Sequence, residues 1–223
     1  MLREVKFEEL QSSDLSVGTV YRSGTEGTVA DDPIARIAPV GNQGGFRYKG
    51  SPVRNTVRLV AMFTTGNEAE WPDHLEPSTG ILTYYGDNRR PGQQLLDTRR
   101  KGNVLLRHAF AAAYGSRLER SHVPPFLLFE KAADRGRDVR FRGLLAPGVA
   151  GSSIDSDLHA VWRESPGGKF ENYQARFTLL NVMTVSRAWI DAVANGIEPL
   201  EAPGCPCPWR VWVETRSYDM LRA

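Results

Sequence analysis

Between Tyr173 and Leu179 apolar and polar side chains alternate: Tyr173, Ala175, Phe177 and Leu179 fall on one face, Gln174 and Arg176 on the other. A period of two marks a strand with one face in a core and one toward solvent. The stretch 173–182 therefore commits the chain to a sheet whose inner face needs a cover. Val139 and Phe141 alternate with Arg140 and Arg142 in the same way over 139–142. β-prone runs at 57–64, 81–85, 126–129 and 160–163 supply further strands, and 15–22 reads as a strand interrupted at Gly18.

Helical signals are fewer and stand between the strands. Asp31 or Asp32 can cap a short helix with Pro33 in its first turn and Ile34 and Ile37 inward, ending at Pro39. After Gly102 and Asn103 a helix is predicted through Tyr114, with Leu106, Phe110 and Ala113 on one face and Gly115 closing it. A third spans 185–194 with Trp189, Ile190 and Val193 inward, and an amphipathic helix over 209–221 closes on the barrel. The first 13 residues read as a short helix or tail, and the Gly- and Ser-rich stretches 143–157 and 165–169 as loops. With no internal repeat or linker, we expect one α+β domain over 1–223, its core at about 14–221; 41% hydrophobic residues suffice for such a core.

The net charge of +2 hides an asymmetry, because residues 88–142 carry thirteen Lys or Arg against five Asp or Glu. A cationic sector gains free energy by displacing the counterions of a nucleic acid, which points to a polyanionic partner; solvated charges on helix and strand faces are the plain alternative. The chain has no run of 18 apolar residues and its amino terminus lacks an apolar h-region, so we expect a cytoplasmic protein without membrane contact. Cys205 and Cys207 lack paired zinc spacing, and Asp155-Ser156-Asp157-Leu158-His159 reads as a polar loop, so neither metal nor cofactor is expected. The paired acids and following lysine of a metal-dependent nuclease, and a serine-nucleophile elbow, are also missing. The chain reads as a binder.

The stretch 83–92 gathers the most chemistry. Two aromatic rings, Tyr84 and Tyr85, arrive at a strand end broken by Gly86, followed by Asp87, Asn88, Arg89 and Arg90 in a turn closed by Pro-Gly. A pocket for a planar polar ring beside phosphates would use each of these groups. Two flanking stretches share the theme. Gly41 to Arg47 holds three glycines among Asn42, Gln43 and Arg47, fitting a tight hairpin as well as a ligand loop, and Trp71 sits in a polar loop where its ring either packs or stacks on a ligand.

Taken together, VGTVY (17–21), NQGGFR (42–47), WPD (71–73), TGILTYYGDNRRPG (79–92), DTRRKGN (97–103) and NYQARFTLLNV (172–182) resemble the amino-terminal DNA-recognition domain of AspBHI- and MspJI-like modification-dependent restriction endonucleases. The resemblance implies an SRA-like curved β-barrel or sheet flanked by helices. It implies a double-stranded DNA partner from which a modified cytosine such as 5-methylcytosine is flipped into a pocket. In that family a separate nuclease domain follows; none is visible in these residues, so this chain is expected not to be catalytic alone, with a nuclease domain or subunit elsewhere.

On that reading Asp87 accepts from the exocyclic amino group, Asn88 and the Gly86 amide serve the ring acceptors, and Tyr84, Tyr85 or Trp71 sandwiches the base. Alternation sends the two tyrosines to opposite faces, so only one stacks. Arg89, Arg90, Arg99, Arg100 and Lys101 are the phosphate candidates, Arg140 and Arg142 secondary ones, and Asn42, Gln43 and Arg47 the groove-probing donors. Burying a methyl adds only about 0.8 kcal/mol, so discrimination rests on pocket shape. Two other readings stay open: a general nucleic-acid-binding module whose tyrosines are core, and a small barrel enzyme acting on nucleotides with Asp87 as general acid or base.

Overall fold

The computed structural model describes residues 3–66, 72–132, 136–165 and 167–221. The chain enters with β1 (Glu4–Val5), a 3-10 turn (Phe7–Glu9), β2 (Leu15–Ser16) and β3 (Val20–Tyr21), then a second 3-10 turn (Val29–Asp31) and α1 (Pro33–Ile37). β4 (Phe46–Lys49), β5 (Leu59–Thr64), β6 (His74–Glu76) and β7 (Ile81–Tyr85) follow, then α2 (Gly102–Tyr114) and α3 (Arg117–Ser121). β8 (Phe126–Lys131), β9 (Val139–Pro147), α4 (Ile154–Asp157), β10 (Leu158–Ser165), β11 (Gly168–Leu179) and β12 (Thr184–Val185) precede α5 (Arg187–Ala194) and α6 (Cys207–Thr215).

The main sheet runs β4, β5, β8, β9, β11, β7, β6, with β10 added on β11 and β3, itself paired to β1, added on β9. Only β5 with β8 and β1 with β3 are parallel among the described ladders. The alternating strand is the hub: β11 pairs with β10 over residues 168–175, with β7 over 174–178 and with β9 over 177–179. The sheet curls until Phe46 of β4 meets Tyr84 of β7 edge to face, with centroids 5.1 Å apart. Among the described residues no ladder joins β4 to β6, so the α+β class and curved sheet are as expected while the barrel stays open.

The inner face is covered as the periodicity requires. Leu106, Phe110 and Ala113 of α2 are buried, and the Phe110 and Phe126 rings both stand 5.1 Å from Phe177 of β11. α5 and α6 bring Trp189, Trp209 and Trp212 into a second cluster, with centroids 6.1 and 4.9 Å apart along the series. Each fully buried side chain of this size contributes about 1.5–3 kcal/mol. Helix starts follow their caps: Asp32 accepts from Ala35 N at 2.9 Å before Pro33, and Ser186 accepts from Trp189 N.

Several segments differ from the sequence reading, α4 inside the expected 143–157 loop among them, and four have a clear local reason. Residues 3–13 include a strand and a 3-10 turn, because Glu4 and Val5 pair with Val20 and Tyr21. The loop expected from residue 143 is strand to Pro147: Gly143 opens a bulge that leaves Arg142 without an opposite residue, and pairing with β8 then resumes. α6 stops at Thr215, where Arg216 turns left-handed at φ 57°, and the tail returns so that Met220 bridges Leu180. α3 was not foreseen, although Ser116 and Glu119 form a capping box; its five residues are too few for a periodic signal.

Candidate functional site

Because β4 and β5 are antiparallel, the start of β4 and the end of β5 share one end of the sheet, and β7 finishes there at Tyr85. A pocket of about 350 Å³ opens at this end, a size suited to a small planar ligand. Gly44 and Gly45, Thr64 and Thr65, and Asp73 line it. The rest of its wall includes Tyr84, Tyr85, Gly86, Asp87, Arg89 and Arg100. Three stretches remote in sequence, 42–47, 83–92 and 97–103, thus each contribute residues to one cavity.

A buried amide network fixes the turn that carries this wall. Asn88, Asn103 and Asn172 have no solvent exposure. Asn172 Nδ2 donates to Gly86 O at 2.9 Å, its Oδ1 accepts from Asn88 N at 3.2 Å and from Asn103 Nδ2 at 3.1 Å, and Asn88 Nδ2 donates to Glu171 O at 2.8 Å. Gly86 is glycine for the same reason: a Cβ there would sit 1.8 Å from Asn103 Oδ1. Close packing, rather than ligand approach, excludes a side chain. Asp87 lines the pocket, and its two carboxylate oxygens accept from Gly102 N and Asn103 N at 2.9 Å each, at the amino terminus of α2. Charge and helix dipole reinforce one another, and the acid ties the turn to the helix.

The structure separates the two tyrosines. Tyr84 is buried, donates to Phe63 O at 2.9 Å and packs on Phe46. A Cβ on Gly45 would meet its hydroxyl at 2.6 Å, which accounts for that glycine of the 42–47 loop. Tyr85 is half-buried on the opposite face of β7, with its hydroxyl donating to Gln174 Oε1 at 3.2 Å. Trp71 falls outside the described residues.

The cations divide equally plainly. Arg47 was expected as a donor toward DNA, but it is 6% exposed, with Nη1 on both oxygens of Asp32 at 2.6 and 2.8 Å and Nε on Gly44 O at 2.9 Å. It braces the loop. Arg100 reaches back to Gln43 O at 2.6 Å, and Tyr48 donates to Arg100 O; burial and then the nearby Asp87 push the Tyr48 hydroxyl above its ordinary range. Asn42 is half-buried and Gln43 exposed on the same loop. Lys101 pairs with Asp97 at 2.6 Å. Arg89, Arg90 and Arg99 are exposed on the turn. Arg140 and Arg142 stand on β9, outside the pocket wall, and Arg142 pairs with Glu130 at 3.5 Å. Asn88, expected at the base edge, holds the turn from within.

Asp73 was missed as a site residue. Its Oδ1 accepts from Tyr85 N at 3.0 Å, which sets a second carboxylate in the pocket beside Asp87. The signal was present in the Trp-Pro-Asp stretch, but only the pairing of β6 with β7 brings residue 73 alongside residue 85.

Comparison with known proteins bears on this geometry. A family model described as restriction endonuclease AspBHI N-terminal matches residues 15–223. The DNA recognition domain of the cytosine modification-dependent restriction endonuclease LpnPI superposes with a TM-score of 0.89 at 36% identity, covering 100% of this chain and 96% of that one. The DNA modification-dependent restriction endonuclease AspBHI gives a TM-score of 0.90 at 39% identity; 99% of this chain is covered, but only 55% of that chain. The MspJI restriction endonuclease, solved in complex with a 27-mer oligonucleotide, shares the fold with a TM-score of 0.71 at 20% identity, covering 94% of this chain and 54% of that one. Among curated proteins nothing matches.

Proposed function

The chain belongs to the restriction endonuclease AspBHI amino-terminal family, and from that premise we propose that it binds duplex DNA carrying a modified cytosine and seats the flipped base in the pocket beside Tyr85. The convergence of the part-exposed rings of Tyr85 and Phe63, two carboxylates, the exposed Arg89 and the half-buried Arg100 on a single cavity carries this reading. Tyr85 is the stacking plate, because Tyr84 is committed to the core. A cytosine edge offers an exocyclic amino donor. Asp73 accepts it, its carboxylate held at the pocket wall by the Tyr85 amide. Asp87 lines the same pocket while holding α2 against it.

Stacking on one aromatic ring is worth about 1–3 kcal/mol per base, comparable to the few kcal/mol of unstacking, so phosphate contacts and the Asp73 bond must provide the surplus. Arg89, Arg90, Arg99 and Arg100 supply the phosphate contacts, and Gln43 and Asn42 face the groove. This chain spans about half the length of the AspBHI chain; DNA cleavage is assigned to a nuclease domain or subunit elsewhere. No helix among the described residues is long and apolar enough to cross a membrane, and a DNA partner supports the cytoplasm as the compartment we propose.

Gel shifts with duplexes carrying cytosine, 5-methylcytosine or 5-hydroxymethylcytosine, each at two salt concentrations, test the proposal. We expect tighter binding to a modified duplex and loss of that preference in Asp73→Asn with little change in thermal stability. Equal affinity of the unaltered protein for all three duplexes would overturn it, leaving a general nucleic-acid-binding module.

A further inference from the structure

Tyr85 is held from behind. Gln174 lies directly opposite it in the β7–β11 ladder and accepts its hydroxyl at 3.2 Å. From β10, the guanidinium carbon of Arg163 stands over the Tyr85 ring, 5.7 Å from its centroid. Tyr85 lines the pocket, whereas neither Arg163 nor Gln174 does, so both reach the ring from the β10–β11 hairpin side. The hairpin lies close to the basic turn, where a Cβ on Gly167 would come within 3.3 Å of Pro91 Cγ. A terminal aromatic torsion is broad when unrestrained; a cation over one face and a tether on the hydroxyl reduce it to one orientation.

We infer that Arg163 is a positioning residue that sets the plane of the Tyr85 plate. The inference rests on the reading of the pocket given above and adds a group that does not touch the base. Its range is set by β10 pairing with β11, so the hairpin contributes to selectivity without entering the pocket.

A double-mutant cycle tests it, measuring affinity for modified and unmodified duplex and the melting temperature. Arg163→Met keeps side-chain length and removes the cation. It is expected to lower the preference for modified duplex about threefold, the size of one exposed cation–π contact, with affinity for unmodified duplex held within about twofold. Arg163→Lys restores the preference, and in a Tyr85→Leu background Arg163→Met lowers it no further. Equal loss on both duplexes, additivity with Tyr85→Leu, or an undiminished preference in Arg163→Met overturns the positioning role. If Arg163→Met loses its thermal transition, Arg163→Lys decides: a preference near that of the unaltered protein supports the role, and a drop as large as that of Tyr85→Leu overturns it. Absence of any preference in the unaltered protein defeats the pocket reading instead, so the two failures are distinct.

Discussion

Asp73 and Asp87 line one cavity, and the proposed reading gives them different work. Asp87 accepts two backbone amides of α2, and Asp73 accepts the amide of Tyr85. Asp87→Ala removes bonds to a charged acceptor and a helix-start contact together, an expected loss of about 1–3 kcal/mol. At about 2–4 °C per kcal/mol for a chain of this size, calorimetry would read a fall of several degrees. Asp73→Asn is expected to leave that transition nearly in place while abolishing the preference for modified cytosine. The reverse pattern would make Asp87 the base reader, as the sequence alone suggested.

The turn between β7 and α2 acts as one element because its polar groups are satisfied internally by three buried asparagines. Such a network is rigid when complete and costly when broken. Gly86→Ala forces a methyl to within 1.8 Å of Asn103 Oδ1, so the turn must move. We expect a loss of about 1–3 kcal/mol, typical of overpacking, and faster amide hydrogen exchange at residues 102–105, with DNA affinity reduced although no ligand contact was removed. Unchanged exchange there would show that the turn is not held by this network. The hairpin of β10 and β11 is the matching element on the other side of Tyr85.

At the scale of the whole molecule, the surplus of positive charge over 88–142 is not one patch. Arg117 pairs with Glu214, and Arg120 donates to Gly115 O and Val213 O, binding the ends of α2 and α6 together. Arg89, Arg90 and Arg99 remain exposed on the turn of the site. Each phosphate contact contributes about −0.9 to the slope of log affinity against log salt. Arg90→Ala and Arg99→Ala should each shallow that slope by about 1 and weaken modified and unmodified duplexes alike, whereas Arg117→Ala should leave it unchanged. The same packing predicts alkaline sensitivity. Burial is the main cause that raises the hydroxyls of Tyr21, Tyr114 and Tyr218 above the ordinary tyrosine range, with Asp157 reinforcing the effect at Tyr114. The native state then holds those protons more tightly than the unfolded chain. Their contribution to stability is fully present below about pH 10 and is lost as the pH rises through the raised range. Urea midpoints at pH 8 and 10.5 would show the fall.

The sequence by itself determined the strands and helices whose signal is local. The alternation of 173–179 made β11 the half-buried hub, the spacing of Leu106, Phe110 and Ala113 oriented α2, and Asp32 before Pro33 placed α1. It also brought the family into view, since the motifs at 42–47, 83–92 and 97–103 stand in sequence where the fold needs them to form one pocket. Whether a polar group faces a ligand or another part of the chain depends on partners far away in sequence, and only the tertiary structure decided that. Arg47 met Asp32, Asp87 met the first amides of α2, and Asn88 met Glu171 and Asn172. Tyr84 and Tyr85 were separable in sequence only as opposite faces; which face was core followed from the curl of the sheet that laid Phe46 against Tyr84.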